Sequence, residues 1–227
     1  MLIDTSLIPG WMNLVAALLL LSGLASALRW AEWRAVSTVP GRIHLLSLAT
    51  LFCLALWSLS APVGDALRLH LLGMTSVTLL VGWRFALLCG SLALLTLLLV
   101  SGQPLSMLPI AGLLTILIPA SVSRLVLHFL PKQRNLFLFT LGGGFAGGIL
   151  SALSVAVAAT LLLALAGHDA LVQRAAENWP VIVLVLFPEG FINGTLVTAG
   201  CVFFPDAVKT FDDQFYLAAD DDAETED

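Results

Sequence analysis

Charge is what this chain has least of. Asp, Glu, Lys and Arg make up 11% of its 227 residues, against 59% hydrophobic residues, and the mean hydropathy is +1.00. A soluble domain of this length could not solvate such a composition, so a water-soluble globular fold is excluded. No base precedes Arg29. A cleavable signal peptide needs a basic region before its apolar run, so the first apolar segment is expected to stay as a membrane span. The three cysteines, Cys53, Cys89 and Cys201, show no CxxC spacing. That pattern argues against both a disulfide framework and a zinc knuckle, and the thiols read as small apolar packing groups. There is no nucleophile elbow, no HExxH and no Walker loop: the run GGGFAGG (Gly142–Gly148) is not followed by Lys-Ser/Thr. The chain is therefore not read as an enzyme. It also lacks the basic patch that nucleic-acid binding requires.

What is there is a series of seven long apolar segments with almost every charge in the gaps. A hydrocarbon core about 30 Å thick takes about 20 apolar residues per helix, and inside it every backbone N–H and C=O must be bonded internally. The expected fold is all-α: a polytopic bundle of about seven transmembrane helices over residues 1–204. A cytoplasmic acidic tail, partly disordered, follows over 205–227, because Asp212 to Asp227 holds eight acids and no base. The spans are placed at 11–28, 43–60, 67–82, 85–100, 105–129, 136–165 and 179–203. Pro109 and Pro119 are expected to kink or unwind the fifth. The sixth, rich in glycine, is longer than one perpendicular crossing. It can be one helix or two, and its glycines allow close helix approach.

Orientation follows from the bases. With the N-terminus outside, the inner loops hold Arg29, Arg34, Arg42, Arg84, Lys132, Arg134 and Lys209, and the outer loops only Arg68 and Arg174. The expectation is N-out and C-in.

Ionisable groups within spans are costly and mark function or internal pairing. His70 and Met74 stand four apart, which on a helix is one face, with Thr75 and Thr78 on nearby turns. An imidazole and a thioether together suit a soft or borderline transition metal. The alternative is a histidine capped by a backbone carbonyl beside a packing methionine. Glu189 and Asn193 also stand four apart, after Pro188 and among Gly190 and Gly194. This carboxylate needs a partner, for which Arg124, His70 and His44 are the candidates, or it belongs to a transport site. His44 and His128 lie at interfacial depth, and His168-Asp169 reads as a loop pair. Glu189 is ten residues into its span, about 15 Å below the start at 1.5 Å per residue. His70, about one turn below the outer end of the third span, meets it only if the seventh span starts well above the membrane or is bent at Pro188.

Two stretches carry a family resemblance. His70-Leu-Leu-Gly-Met-Thr with Leu80-Val-Gly-Trp83, and Pro188-Glu-Gly-Phe-Ile-Asn-Gly194 followed by Phe204-Pro-Asp206 and Thr210-Phe-Asp-Asp213, resemble the CbiM-type permeases. These are the substrate-binding membrane subunits of energy-coupling-factor transporters for cobalt and nickel. The resemblance spans most of the chain, in order. It implies a metal site near the outer face, built by the amino-terminal amine, a histidine at the second position and a histidine on the third span. His70 matches the third-span histidine. The second residue is Leu2, so the amino-terminal chelate is incomplete, and Asp4 is the nearest replacement. The resemblance further implies cytoplasmic ATPase subunits, a coupling membrane subunit and a bacterial inner membrane. The expected substrate is a divalent transition metal, nickel, cobalt, copper or zinc, with His70, Met74, Glu189 and Asn193 as candidate ligands. The alternative is a non-transporting membrane scaffold or metallation helper.

Overall fold

A computed structural model describes residues 2–3, 7–63, 67–131 and 135–211. Asp4, Asp65, Lys132, Arg134 and the acidic run 212–227 lie outside the described residues. The helices are α1 (Gly10–Trp30), α2 (Trp33–Thr38), α3 (Arg42–Ser58), α4 (Met74–Val81), α5 (Trp83–Val100), α6 (Leu108–Gly112), α7 (Ile118–Phe129), α8 (Gly147–Leu165), α9 (Asp169–Glu177) and α10 (Trp179–Phe203). Three short strands, β1 (Leu2–Ile3), β2 (Ala61–Val63) and β3 (Leu67–Leu69), add a small sheet to the helical bundle.

Five helices are long and apolar enough to cross a membrane: Gly10–Trp30, Trp83–Val100, Leu105–Phe129, Leu138–Leu165 and Trp179–Phe203. α3 is a shorter apolar helix of 17 residues. The first of the five has no polar side. On α1 the buried residues Met12, Ala16, Leu20, Gly23 and Ala27 recur every three or four positions, while Leu14, Leu18, Leu21 and Leu28 on the other faces are exposed. Lipid tails are as apolar as leucine, so hydrophobicity does not mark the packed stripe; three of its five residues, Ala16, Gly23 and Ala27, are small.

The fifth span is one continuous helix with local rewinding. A 3-10 turn (Leu105–Met107) leads into α6, a π-helical stretch (Leu113–Leu117) and α7. Pro109 falls in the first turn, where the missing N–H leaves no ladder bond unmade, whereas Pro119 lies inside the continuous helix, two residues past the π-helical stretch, where its missing N–H takes one bond out of the ladder. The sixth span is likewise one helix: a π-helical stretch (Leu138–Ala146) carrying the glycine run continues into α8. The glycines allow backbone contact. A Cβ added at Gly144 would lie 3.1 Å from Gly194 Cα, and one at Gly148 would lie 3.1 Å from Gly190 Cα.

The expected third span, 67–82, is not a span-length helix. Residues 67–69 form β3, which pairs antiparallel with both β1 and β2 in the order β1-β3-β2, with Leu2 opposite Arg68 and Pro62 opposite Arg68. Helix begins only at Met74 and runs for eight residues. The cause is Gly73, which takes φ +64° at the N-cap, a conformation that stops a helix from extending backwards through it. α4 is nevertheless central, since seven of its eight residues are buried.

The two ends of the bundle differ. At one end Lys209 pairs with Glu32, Arg42 Nη1 donates to the Ala207 carbonyl at 3.3 Å, and Arg124 lies 5.3 Å from the Trp83 ring centre. At the other, His168 Nε2 donates to the Leu7 carbonyl at 2.7 Å. The chain after α10 does not leave the bundle at once: Pro205–Ala207 forms a 3-10 turn, and Val208 and Phe211 are buried.

Candidate functional site

A short helix buried in a bundle poses a problem, because its terminal N–H and C=O groups have no water. α4 solves it with α10 and the segment after it. At its N-terminal end, the Leu72 amide donates to Glu189 Oε2 at 2.7 Å and the Gly73 amide to Glu189 Oε1 at 2.8 Å. The Ser76 amide donates to Asn193 Oδ1 at 2.7 Å. At its C-terminal end, the Lys209 amide donates to the Leu80 carbonyl at 2.8 Å. Thr210 Oγ1 donates to the Leu79 carbonyl at 2.7 Å, and Arg42 Nη2 to the Val81 carbonyl at 3.1 Å.

Glu189 and Asn193 share one face of α10, as their spacing implies, and touch: Asn193 Nδ2 donates to Glu189 Oε1 at 2.8 Å and to the Glu189 carbonyl at 2.7 Å. Both are buried, at 1% and 0% exposure. They reach α4 because the backbones of Gly144 and Gly148 sit against those of Gly194 and Gly190. The partners of this carboxylate are amides. Of the three candidate counter-charges, Arg124 lies over Trp83 and His44 on the exposed surface, while His70 is joined to the carboxylate through the loop backbone.

His70 precedes the helix, in the loop between β3 and α4. It therefore does not share a helical face with Met74, and the one-face argument for that pair fails. The imidazole is buried and Nδ1 lies 3.0 Å from the Leu71 carbonyl. A carbonyl only accepts, so Nδ1 carries the proton and donates, which puts the lone pair of the neutral ring on Nε2. The Trp57 ring lies 6.0 Å away, centre to centre, and its Nε1 donates to the Leu72 carbonyl at 2.9 Å. Met74 is fully buried in the cluster that includes Trp57, Leu87 and Ile116, and a Cβ on Gly90 would meet its sulfur at 3.4 Å. The loop brings His70 and Glu189 to one region despite the depth of Glu189, because the chain descends as strand and loop before the helix starts.

Below the loop, three buried hydroxyls meet. Thr75 Oγ1 lies 2.8 Å from Ser123 Oγ and 3.0 Å from Ser151 Oγ, joining α4, α7 and α8. Among the described residues, no three His, Cys, Asp or Glu side chains converge as a metal cluster. Trp57 and the amides of Leu72, Gly73 and Ser76 are the parts of the site that sequence reasoning missed. Backbone donors leave no mark in side-chain spacing, and the one available signal was the glycine inside His70-Leu-Leu-Gly73.

A bundle of span-length apolar helices around a fixed polar loop defines an integral membrane protein. The chain matches the CbiM family, described as the cobalt uptake substrate-specific transmembrane region, over residues 3–207, and belongs to it. The family is one of transporter components and not of enzymes, and membership implies a membrane component of cobalt or nickel uptake. No curated protein and no solved structure matches the chain.

Proposed function

We propose that this chain is the membrane capture subunit for uptake of a divalent transition metal ion, with His70 as ligand through Nε2. The reading rests above all on one arrangement. His70 is a buried, tautomer-fixed imidazole that directly follows β3, and β1, the start of the chain, is paired with that same strand. Leu2 and Ile3 are thereby held beside the strand that leads into the histidine. Nickel, cobalt, copper and zinc all accept imidazole, and the leucine at position 2 is why the metal is left as a class. The packing of Met74 against α5 favours a structural part for it.

In this reading the chain crosses a bacterial inner membrane seven times, with α3 and the strand–loop–α4 unit supplying the two short crossings. The N-terminus is outside, and the end bearing Arg29, Arg34, Arg84 and Lys209 is inside. ATPase subunits and a coupling membrane subunit come from other chains. The second reading, a scaffold or metallation helper, draws its support from Leu2.

Metal content after exposure to nickel, cobalt, copper and zinc in turn, for detergent-purified wild type beside His70→Ala, tests the assignment. Near-stoichiometric retention of one metal, lost in the variant, is the expected result. Retention of no metal by a folded wild type would hand the function to the scaffold reading.

A further inference from the structure

Glu189 and His70 are joined by a single peptide unit. Glu189 Oε2 accepts the Leu72 N–H at 2.7 Å, and the carbonyl of that same peptide, Leu71 C=O, accepts the His70 Nδ1–H at 3.0 Å. We propose that Glu189 is a positioning residue for His70. Through the Leu71–Leu72 peptide it fixes the plane of the imidazole and enriches Nε2 with electron density, and neither it nor Asn193 ligates the metal. The proposal rests on the metal-capture reading of His70.

The hydrogen-bond inventory carries the argument. Glu189 Oε1 accepts from the Gly73 amide and from Asn193 Nδ2, and Oε2 accepts from Leu72. Asn193 spends both N–H groups on Glu189 and its oxygen on the Ser76 amide. Three of the roughly four lone-pair sites of the carboxylate are thus taken, and a metal drawing on either side chain would compete with amides that have no water to turn to. The other side of the loop is equally committed. Trp57 Nε1 donates to the Leu72 carbonyl and Ser76 Oγ to the Gly73 carbonyl, each within 2.9 Å. A Cβ at Gly73 would lie 2.7 Å from the side chains of Leu56 and Phe52. The peptide that accepts from His70 therefore cannot rotate independently of Glu189. Metal-bound histidines commonly donate their second N–H to a carboxylate or carbonyl, which raises their basicity as ligands. Here the two partners stand in series, carboxylate to amide to imidazole, and hydrogen bonds in a chain polarise one another.

Glu189→Gln tests this, because glutamine offers one oxygen where two amide donors need one each. Three measurements are made on the purified full chain: Ni(II) affinity by equilibrium dialysis, the electron paramagnetic resonance spectrum of bound Cu(II), and hydrogen exchange of the loop amides without metal. The expected result is Ni(II) binding weakened by about tenfold or more, the usual scale for an outer partner of a ligand. Bound Cu(II) should keep its wild-type set of donors, and the Leu72 amide should lose protection. Loss of an oxygen donor from the Cu(II) spectrum would make Glu189 a ligand and overturn the proposal, as would wild-type affinity in folded Glu189→Gln. If that variant does not fold, Glu189→Asp, which keeps both acceptor oxygens at shorter reach, takes its place. Affinity between wild type and His70→Ala then supports the relay, and full wild-type affinity with an unprotected Leu72 amide overturns it. A wild type that binds no metal would defeat the capture reading alone. Exchange at Leu72, which needs no metal, then decides whether Glu189 holds the peptide.

Discussion

Asn193 Oδ1 accepts the Ser76 amide at 2.7 Å, so a side chain of α10 caps a helix that lies more than a hundred residues earlier in the chain. The cap is the kind a Ser or Asp supplies at an ordinary N-terminus, moved to a neighbouring helix because the N-cap position itself is Gly73. Asn193→Ala removes the acceptor of one buried amide and a donor to Glu189 together. It should cost about 1–3 kcal/mol, the range for orphaning a buried polar group, and thermal unfolding in detergent reads it directly. Asn193→Asp should be no better, since it sets a second acidic group against Glu189 Oε1, where Asn193 now donates at 2.8 Å.

The glycine contacts that bring α10 to α4 should be intolerant of any side chain. A Cβ at Gly148 meets the Glu189 carbonyl and Gly190 Cα, both at 3.1 Å, and backbone atoms cannot rotate away. Gly148→Val should therefore separate α8 from α10 and lower the stability by about 1–3 kcal/mol, as overpacking does. Gly10→Ala is the control, because nothing lies within 4 Å of the added atom. Equal melting of the two variants would mean that the helices yield at Gly148.

The Lys209–Glu32 pair ties the chain after α10 to the connection between α1 and α2. The hydrogen bond from Lys209, aided by the charges of Arg84 and Arg42, holds the Glu32 carboxyl below the usual carboxylate range. A carboxyl whose folded pKa is depressed adds stability above its unfolded pKa and loses it as the pH falls through the folded value. The pair should thus contribute at neutral pH and vanish in acid. Both side chains are well exposed, at 41% and 54%, so the contribution is no more than about 1 kcal/mol and is screened by salt. Glu32→Gln should lower the melting temperature slightly at pH 7 and leave it unchanged near pH 3. A loss that persists at pH 3 would place the effect of the substitution in packing.

The long spans were legible in the sequence because the bilayer makes length and apolarity sufficient. The first, fourth, fifth, sixth and seventh apolar segments coincide with helices to within two residues at each end. The third misled for a physical reason. Leu67, Leu69, Leu71 and Leu72 are as apolar as any helix, and hydropathy does not register the φ +64° that Gly73 adopts. The pairing of Glu189 with Asn193 was legible from a spacing of four. Their shared target was not, because it consists of main-chain amides on a segment taken to be regular helix.

Orientation is the feature on which the proposed function most depends, since a capture site must open to the side from which metal arrives. The structure brings Arg42 and Lys209 to the end where Glu32 lies, and Arg124 stacks on Trp83 at the start of α5. The opposite end, with α9, carries Asp169, Arg174 and Glu177 and is nearly balanced. Lys and Arg are retained on the cytoplasmic side, so the first end should face inwards. The native cysteines make this easy to read: Cys53, Cys89 and Cys201 are 0%, 6% and 1% exposed and should stay silent to a membrane-impermeant maleimide. Ser37→Cys in α2 and Gln173→Cys in α9, both at exposed positions, should then report one end each. In intact cells Gln173→Cys should label at once, and Ser37→Cys only after permeabilisation. The reverse order would put the His70 loop nearer the cytoplasm, where it could not capture metal from outside, and the uptake reading would fail even if His70 bound the ion.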